Sequence, residues 1–136
     1  MQDIVIDDDA TVGSAIKLWL ESGGADVFYA EGARAGIAAL KVIDFDLAIV
    51  DIFMPVVGGI ETIKILRQIK PKLPVIAMSG HMDRDNQTSA LGFARMTAGS
   101  IYSLAKPFRP RDLKNAVEAC IGRGSPSVSN LEPGTN

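Results

Sequence analysis

The sequence predicts an α/β fold built on a parallel sheet. Three observations predict it. Five short apolar runs alternate with five helical patterns along almost the whole chain, the order expected of strand–helix–strand units. Two of the runs, Leu47–Val50 and Val75–Met78, are continuously apolar, as central parallel strands buried on both faces are. Polar residues then stop the runs at one end: Asp7-Asp8-Asp9 after the first, Asp51 after the third, Ser79-Gly80 after the fourth and Lys106-Pro107 after the fifth. In open α/β sheets, ligands bind outside the carboxyl ends of the strands.

The elements follow in order. Ile4-Val5-Ile6 is a β-branched strand, and Asp9 is placed to cap the helix after it. Val12, Ala15, Ile16, Trp19 and Leu20 recur at helical spacing until Gly23-Gly24. Ala25–Ala30 is the second strand, and the alanine-rich stretch Ala33–Lys41 is helical. Leu47–Val50 is the third strand. Met54–Gly59 is a loop by its proline and glycines. Ile60, Ile63, Leu66 and Ile69 form a helical stripe that ends before Pro71. Pro74–Met78 is the fourth strand, Asp85–Met96 a weaker helix and Ile101–Ala105 the fifth strand. Pro110 opens a last helix with Leu113, Val117 and Ile121 on its apolar face. Residues 1–122 hold one domain. Residues 123–136, rich in Ser, Pro, Gly, Asn and Thr, read as a flexible tail.

Composition excludes several classes. The chain has 136 residues, of which 47% are apolar, too many for a disordered chain. Fourteen basic residues against sixteen acidic ones leave a net charge of −2, which carries no footprint for direct nucleic-acid binding. The single Cys120 excludes an intramolecular disulfide and a cysteine zinc cluster, and reads as a small buried hydrophobe. No apolar run approaches the roughly 20 residues that span a bilayer, and the acidic start at Asp3 does not fit a secretory signal. A soluble, cytoplasmic setting without membrane contact is expected. Trp19 and Phe28 read as core residues, and Arg109 and Arg111 as solvated ones.

The strand ends bring carboxylates, a hydroxyl and an ammonium to one edge. Clustered carboxylates repel, and a hard divalent cation such as Mg²⁺ removes that cost. An aspartate beside Mg²⁺ and a lysine is a nucleophile towards phosphorus, and the product is an aspartyl phosphate. The added charge needs donors, which Lys106, Ser79 and backbone N–H groups can supply. Gly80 leaves room for the group to enter.

Four motifs, Ile-Val-Ile-Asp7-Asp8-Asp9, Asp51-Ile-Phe-Met54-Pro55 with Gly59 beyond, Met78-Ser79-Gly80 and Ala105-Lys106-Pro107-Phe108, stand in order at these strand ends. In this the chain resembles the receiver domain of bacterial two-component response regulators over residues 3–122. The resemblance implies a five-stranded parallel sheet of order 2-1-3-4-5 with helices on both faces, the doubly wound, flavodoxin-like fold. It implies Asp51 as phosphoacceptor, and Asp7, Asp8, Asp51 and the Phe53 backbone carbonyl as ligands of Mg²⁺. Ser79 becomes the switch hydroxyl, Lys106 the phosphate-binding lysine, and Pro107 follows a bond that is often cis. The implied partners are a sensor histidine kinase or histidine phosphotransfer protein and a downstream protein, with a phosphorylation-dependent homodimer also compatible. The activity implied is that of a signalling switch, with self-phosphorylation from a donor and slow autodephosphorylation.

The chain departs from the family pattern at the switch aromatic, three positions before the lysine. Ser103 stands there, and Tyr102 cannot replace it because strand side chains alternate faces. Phe53 and His81 flank the site and are candidates for tuning the phosphoryl lifetime. A response concentrated in Gly80–Asp85 and the start of the following helix is expected in place of ring movement. Two rivals are weighed against this reading. An aspartate-based phosphatase would want a second acid where Phe53 stands. A degenerate receiver acting as a constitutive interaction module is favoured by Ser103. Neither G-x-x-x-x-G-K-[ST] nor G-x-G-x-x-G follows the first strand, which argues against nucleotide binding.

Overall fold

The computed structural model describes residues 1–54, 58–80 and 101–124. Five strands, β1 (Gln2–Ile6), β2 (Asp26–Ala30), β3 (Leu47–Asp51), β4 (Val75–Gly80) and β5 (Ile101–Lys106), form one sheet of order β2-β1-β3-β4-β5. Every pairing is parallel. Among the described residues four helices accompany them: α1 (Ala10–Ser22), α2 (Ala33–Val42), α3 (Gly59–Ile69) and α4 (Pro110–Gly124). The expected sheet order is therefore observed. The helix expected over residues 85–96 lies outside the described residues, as does the tail from residue 125; α4 runs two residues past the boundary expected at Gly122.

The sheet separates two apolar layers because alternate side chains point to opposite faces. Ile4, Ile6, Ala48, Val50, Val75 and Ala77 pack towards α2 and α3, where Leu40, Ile63 and Leu66 meet them. Val5, Leu47, Ile49, Ile76, Met78 and Leu104 face α1 and α4, against Ile16, Leu20, Leu113 and Cys120. Each fully buried Ile or Leu contributes roughly 1.5–3 kcal/mol, so β3, buried along its whole length, anchors the site at its end. Cys120 is buried as expected. On α4 the fully buried face is Leu113, Ala116 and Cys120, with Val117 and Ile121 packed beside it.

Local chemistry sets the element ends. Asp9 caps α1, accepting from the backbone N–H groups of Thr11 and Val12 at 3.0 and 3.3 Å. Gly24, at φ +101°, takes the left-handed turn after that helix. Arg67 sits buried on α3 and donates to the carbonyls of Pro71 and Leu73, tying the turn that leads into β4.

Phe28 corrects an expectation. It is 41% exposed, not a core residue, because β2 is an edge strand with one flank uncovered. Its ring packs edge-on against Phe45, with centroids 6.2 Å apart. Trp19 is half-buried against the α1/α4 layer and meets Phe108 edge-on at 6.1 Å. Among the described residues no helix is long and apolar enough to cross a membrane.

Candidate functional site

Register builds the site. Ile6, the last residue of β1, pairs with Val50, so Asp7 emerges beside Asp51 at the end of β3. Asp51 pairs with Met78, which places Ser79 one step further along β4. Gly80 pairs with Lys106, the last residue of β5. Four strands thus deliver their polar ends to one edge, and the strand order makes those ends neighbours.

The Lys106 ammonium joins the two buried aspartates. It lies 3.1 Å from Asp7 Oδ2 and 3.4 Å from Asp51 Oδ2. Asp7 also accepts from the Asp9 backbone N–H at 2.9 Å, and Asp51 from that of Phe53 at 3.2 Å. Asp8 is exposed beside them. Each of Asp7, Asp8 and Asp51 offers an oxygen within 4.8 Å of the other two. Such an all-oxygen set suits a hard divalent cation that keeps part of its water shell. The residues present therefore fit the Mg²⁺ that the motifs imply.

Burial sets the electrostatics. It pushes the Asp51 carboxyl up to about 6, helped by the Asp7 charge, although Lys106 and the Phe53 N–H oppose it. Burial pulls the Lys106 ammonium down, but the Asp51 and Asp7 carboxylates outweigh it and the net shift is upward. Ser79 is fully buried, and its hydroxyl has no hydrogen-bond partner among the described residues. A buried hydroxyl in that state costs free energy, which a new acceptor nearby would recover.

Two supports were not legible as site residues. Tyr29, on β2, donates its hydroxyl to the Asp7 carbonyl at 2.8 Å, and burial with the surrounding carboxylates pushes its phenol up to about 12. Gly59 opens α3 directly against β3. A Cβ there would lie 2.2 Å from the Asp51 carbonyl oxygen, so only glycine lets the helix start this close. The loop glycine of the motif was visible; this contact was not, since no spacing rule encodes it.

The remaining expected residues divide as follows. Ser103 lies on the α2/α3 side of the sheet, opposite in register to Ala77, while Tyr102 packs into the α1/α4 layer. The alternation argument therefore holds. Phe53 is half-buried at the site. The Lys106–Pro107 bond is cis. His81 and the segment beyond Gly80, where the switching response is expected, lie outside the described residues.

Comparison with known proteins agrees with this geometry. Residues 4–118 match the family model described as the response regulator receiver domain. The cell cycle response regulator CtrA of Brucella ovis is 28% identical over 123 residues, covering 90% of this chain and 51% of the relative. The chain thus spans about half the length of the curated relatives it matches. Among solved structures, a response regulator receiver domain protein of Clostridium thermocellum superposes with a TM-score of 0.75 at 30% identity, covering 90% of this chain and 94% of that one. Full-length FixJ of B. japonicum superposes with a TM-score of 0.78 at 29% identity, covering 93% and 60%. With the sheet order and the four strand-end motifs in place, the chain belongs to the receiver-domain family of response regulators.

Proposed function

We propose that Asp51 accepts a phosphoryl group from a phosphohistidine of a sensor kinase or phosphotransfer protein, or from a small acyl phosphate, in a two-component phosphorelay. The observation that carries this reading is the buried Asp51 carboxylate set between Lys106 at 3.4 Å and the carboxylates of Asp7 and Asp8. One Asp51 oxygen attacks phosphorus. The bond from phosphorus to the donor nitrogen or oxygen breaks, and its electron pair leaves with the imidazole or carboxylate. Mg²⁺ held by Asp7, Asp8, Asp51 and the Phe53 carbonyl would shield the negative charge of the phosphoryl oxygens during attack. Lys106 offsets that charge from the other side and holds the product. The Ser79 hydroxyl, buried without a partner among the described residues, donates to a newly acquired oxygen. Burial raises the Asp51 carboxyl to about 6 without the cation; Mg²⁺ beside it would lower that value and favour the ionised, nucleophilic carboxylate.

The phosphorylated domain then binds a downstream protein differently, in the cytoplasm, with residues 1–122 as the working unit. Ser103 supports a second reading, a module that binds its partner regardless of phosphorylation, because no ring stands at that position to move. Intact-mass measurement after incubation with acetyl phosphate tests the first. With Mg²⁺ the wild type should gain the mass of one phosphoryl group, and Asp51→Asn none. An unchanged wild-type mass, or the same gain on Asp51→Asn, would overturn it. A full mass gain with no change in amide hydrogen exchange would favour the second reading.

A further inference from the structure

Of the three clustered aspartates, the exposed one has the least to hold it. Asp7 and Asp51 are buried, and Lys106 and backbone N–H groups fix their carboxylates. Asp8 is exposed, and no described residue donates to its carboxylate. Its place beside the other two is therefore set by its backbone. β2 grips that backbone at Asp7. The Asp7 N–H donates to the Ala30 carbonyl at 3.2 Å, and the Asp7 carbonyl accepts from the Tyr29 hydroxyl at 2.8 Å. The second bond acts on the peptide that joins Asp7 to Asp8. That peptide is planar and rigid, so holding its oxygen fixes the direction in which the chain reaches Asp8.

Gly13 makes room for this bond. Glycine inside a helix is destabilising relative to alanine, yet Gly13 is buried near the start of α1. A Cβ there would stand 2.5 Å from Tyr29 Cζ, the ring carbon that bears the hydroxyl. The ring therefore crosses α1 where glycine leaves space, and its hydroxyl arrives at the Asp7 carbonyl. Neither Gly13 nor Tyr29 belongs to the strand-end motifs. We propose that Tyr29, admitted by Gly13, is a positioning residue for Asp8. Its hydroxyl presets the Asp7–Asp8 peptide so that the exposed carboxylate completes the cation site. The proposal rests on the reading of Asp7, Asp8 and Asp51 as ligands of Mg²⁺, and Tyr29 acts through Asp8 rather than on the cation.

A double-mutant cycle on Mg²⁺ affinity tests it, read from backbone amide shifts in an NMR titration with Mg²⁺ alone and no phosphoryl donor. Tyr29→Phe keeps the ring and removes the hydroxyl. It should weaken Mg²⁺ binding about tenfold, the low end of the range for losing a partner that orients a metal ligand. Asp8→Asn should weaken it at least as much. The double variant should match Asp8→Asn within about twofold, because the hydroxyl then has no carboxylate to position. Gly13→Ala keeps the hydroxyl but displaces the ring, and should weaken binding by about the same factor as Tyr29→Phe. Undiminished binding to Tyr29→Phe or to Gly13→Ala would overturn the proposal and leave the cation site standing. So would a double variant about tenfold weaker than Asp8→Asn, since independent effects multiply. A wild type that binds no Mg²⁺ would overturn the cation reading and the proposal with it.

Discussion

Two buried carboxylates, Asp51 and Asp3, stand at different ends of one sheet. Burial pushes both up to about 6, yet their surroundings differ. Asp51 has an ammonium at 3.4 Å, a backbone N–H at 3.2 Å and two neighbouring carboxylates suited to sharing a cation. Asp3 has none of these; the terminal ammonium lowers its pKa partway and Asp46 raises it. The same desolvation is therefore turned to two uses. At Asp51 it is opposed by groups that also fit phosphoryl chemistry. At Asp3 it is offset only in part, by the terminal ammonium.

The largest effect should come from dismantling only the equipped end. Gly59→Ala places a Cβ 2.2 Å from the Asp51 carbonyl oxygen, against backbone that cannot swing aside. Overpacking of this kind costs typically 1–3 kcal/mol, and about 3 kcal/mol is expected here. Denaturant unfolding should record that loss, and the phosphorylation rate should fall with it because Asp51 moves.

Asp3→Asn comes next and has a pH signature. The folded pKa lies near 6 against 3.8 in the unfolded chain. The contribution of Asp3 to stability is therefore greatest below pH 4, falls as pH rises through 6 and levels off above it. The asparagine variant lacks that fall. At pH 8 it should be about 2–3 kcal/mol more stable than the wild type, and at pH 4 about equal. Urea unfolding at the two pH values measures the difference.

How much of this was legible follows from where each residue sits. Asp7, Asp51, Ser79 and Lys106 could be read because the strand-end rule converts sequence position into spatial position, and strand order then makes neighbours of them. Asp3 could not, because a polar residue next to the start of a chain reads as solvated. Its register with Leu47 and Val27 places it inside the sheet. The signal available was its spacing of two from Val5, which put it on a buried face. Phe28 was misread for the converse reason: apolar character does not reveal which strand lies at the edge. Tyr29 and Gly59 act through a hydrogen bond and a close approach that only packed coordinates display.

Mg²⁺ sharpens the contrast at a smaller scale. A cation bound only to the folded state at ten times its dissociation constant stabilises by about 1.4 kcal/mol. The wild type and Asp3→Asn should gain that amount alike, and Asp51→Asn much less, as thermal unfolding with and without Mg²⁺ would show. Ser79→Ala should have the smallest effect. Its hydroxyl is buried with no partner among the described residues, so removing it should raise stability slightly, by about 1 kcal/mol. The loss should appear after phosphorylation, as a weaker hydrogen-exchange response to beryllofluoride.

The most direct test is an NMR titration of the Asp3 and Asp51 side-chain carboxyl carbons in the absence and presence of Mg²⁺. Without the cation, both should titrate near pH 6. With it, the Asp51 midpoint should drop by a unit or more on the order expected for an opposite charge at contact, while the Asp3 midpoint stays in place. An Asp51 midpoint indifferent to Mg²⁺, or an Asp3 midpoint that moves with it, would contradict the account.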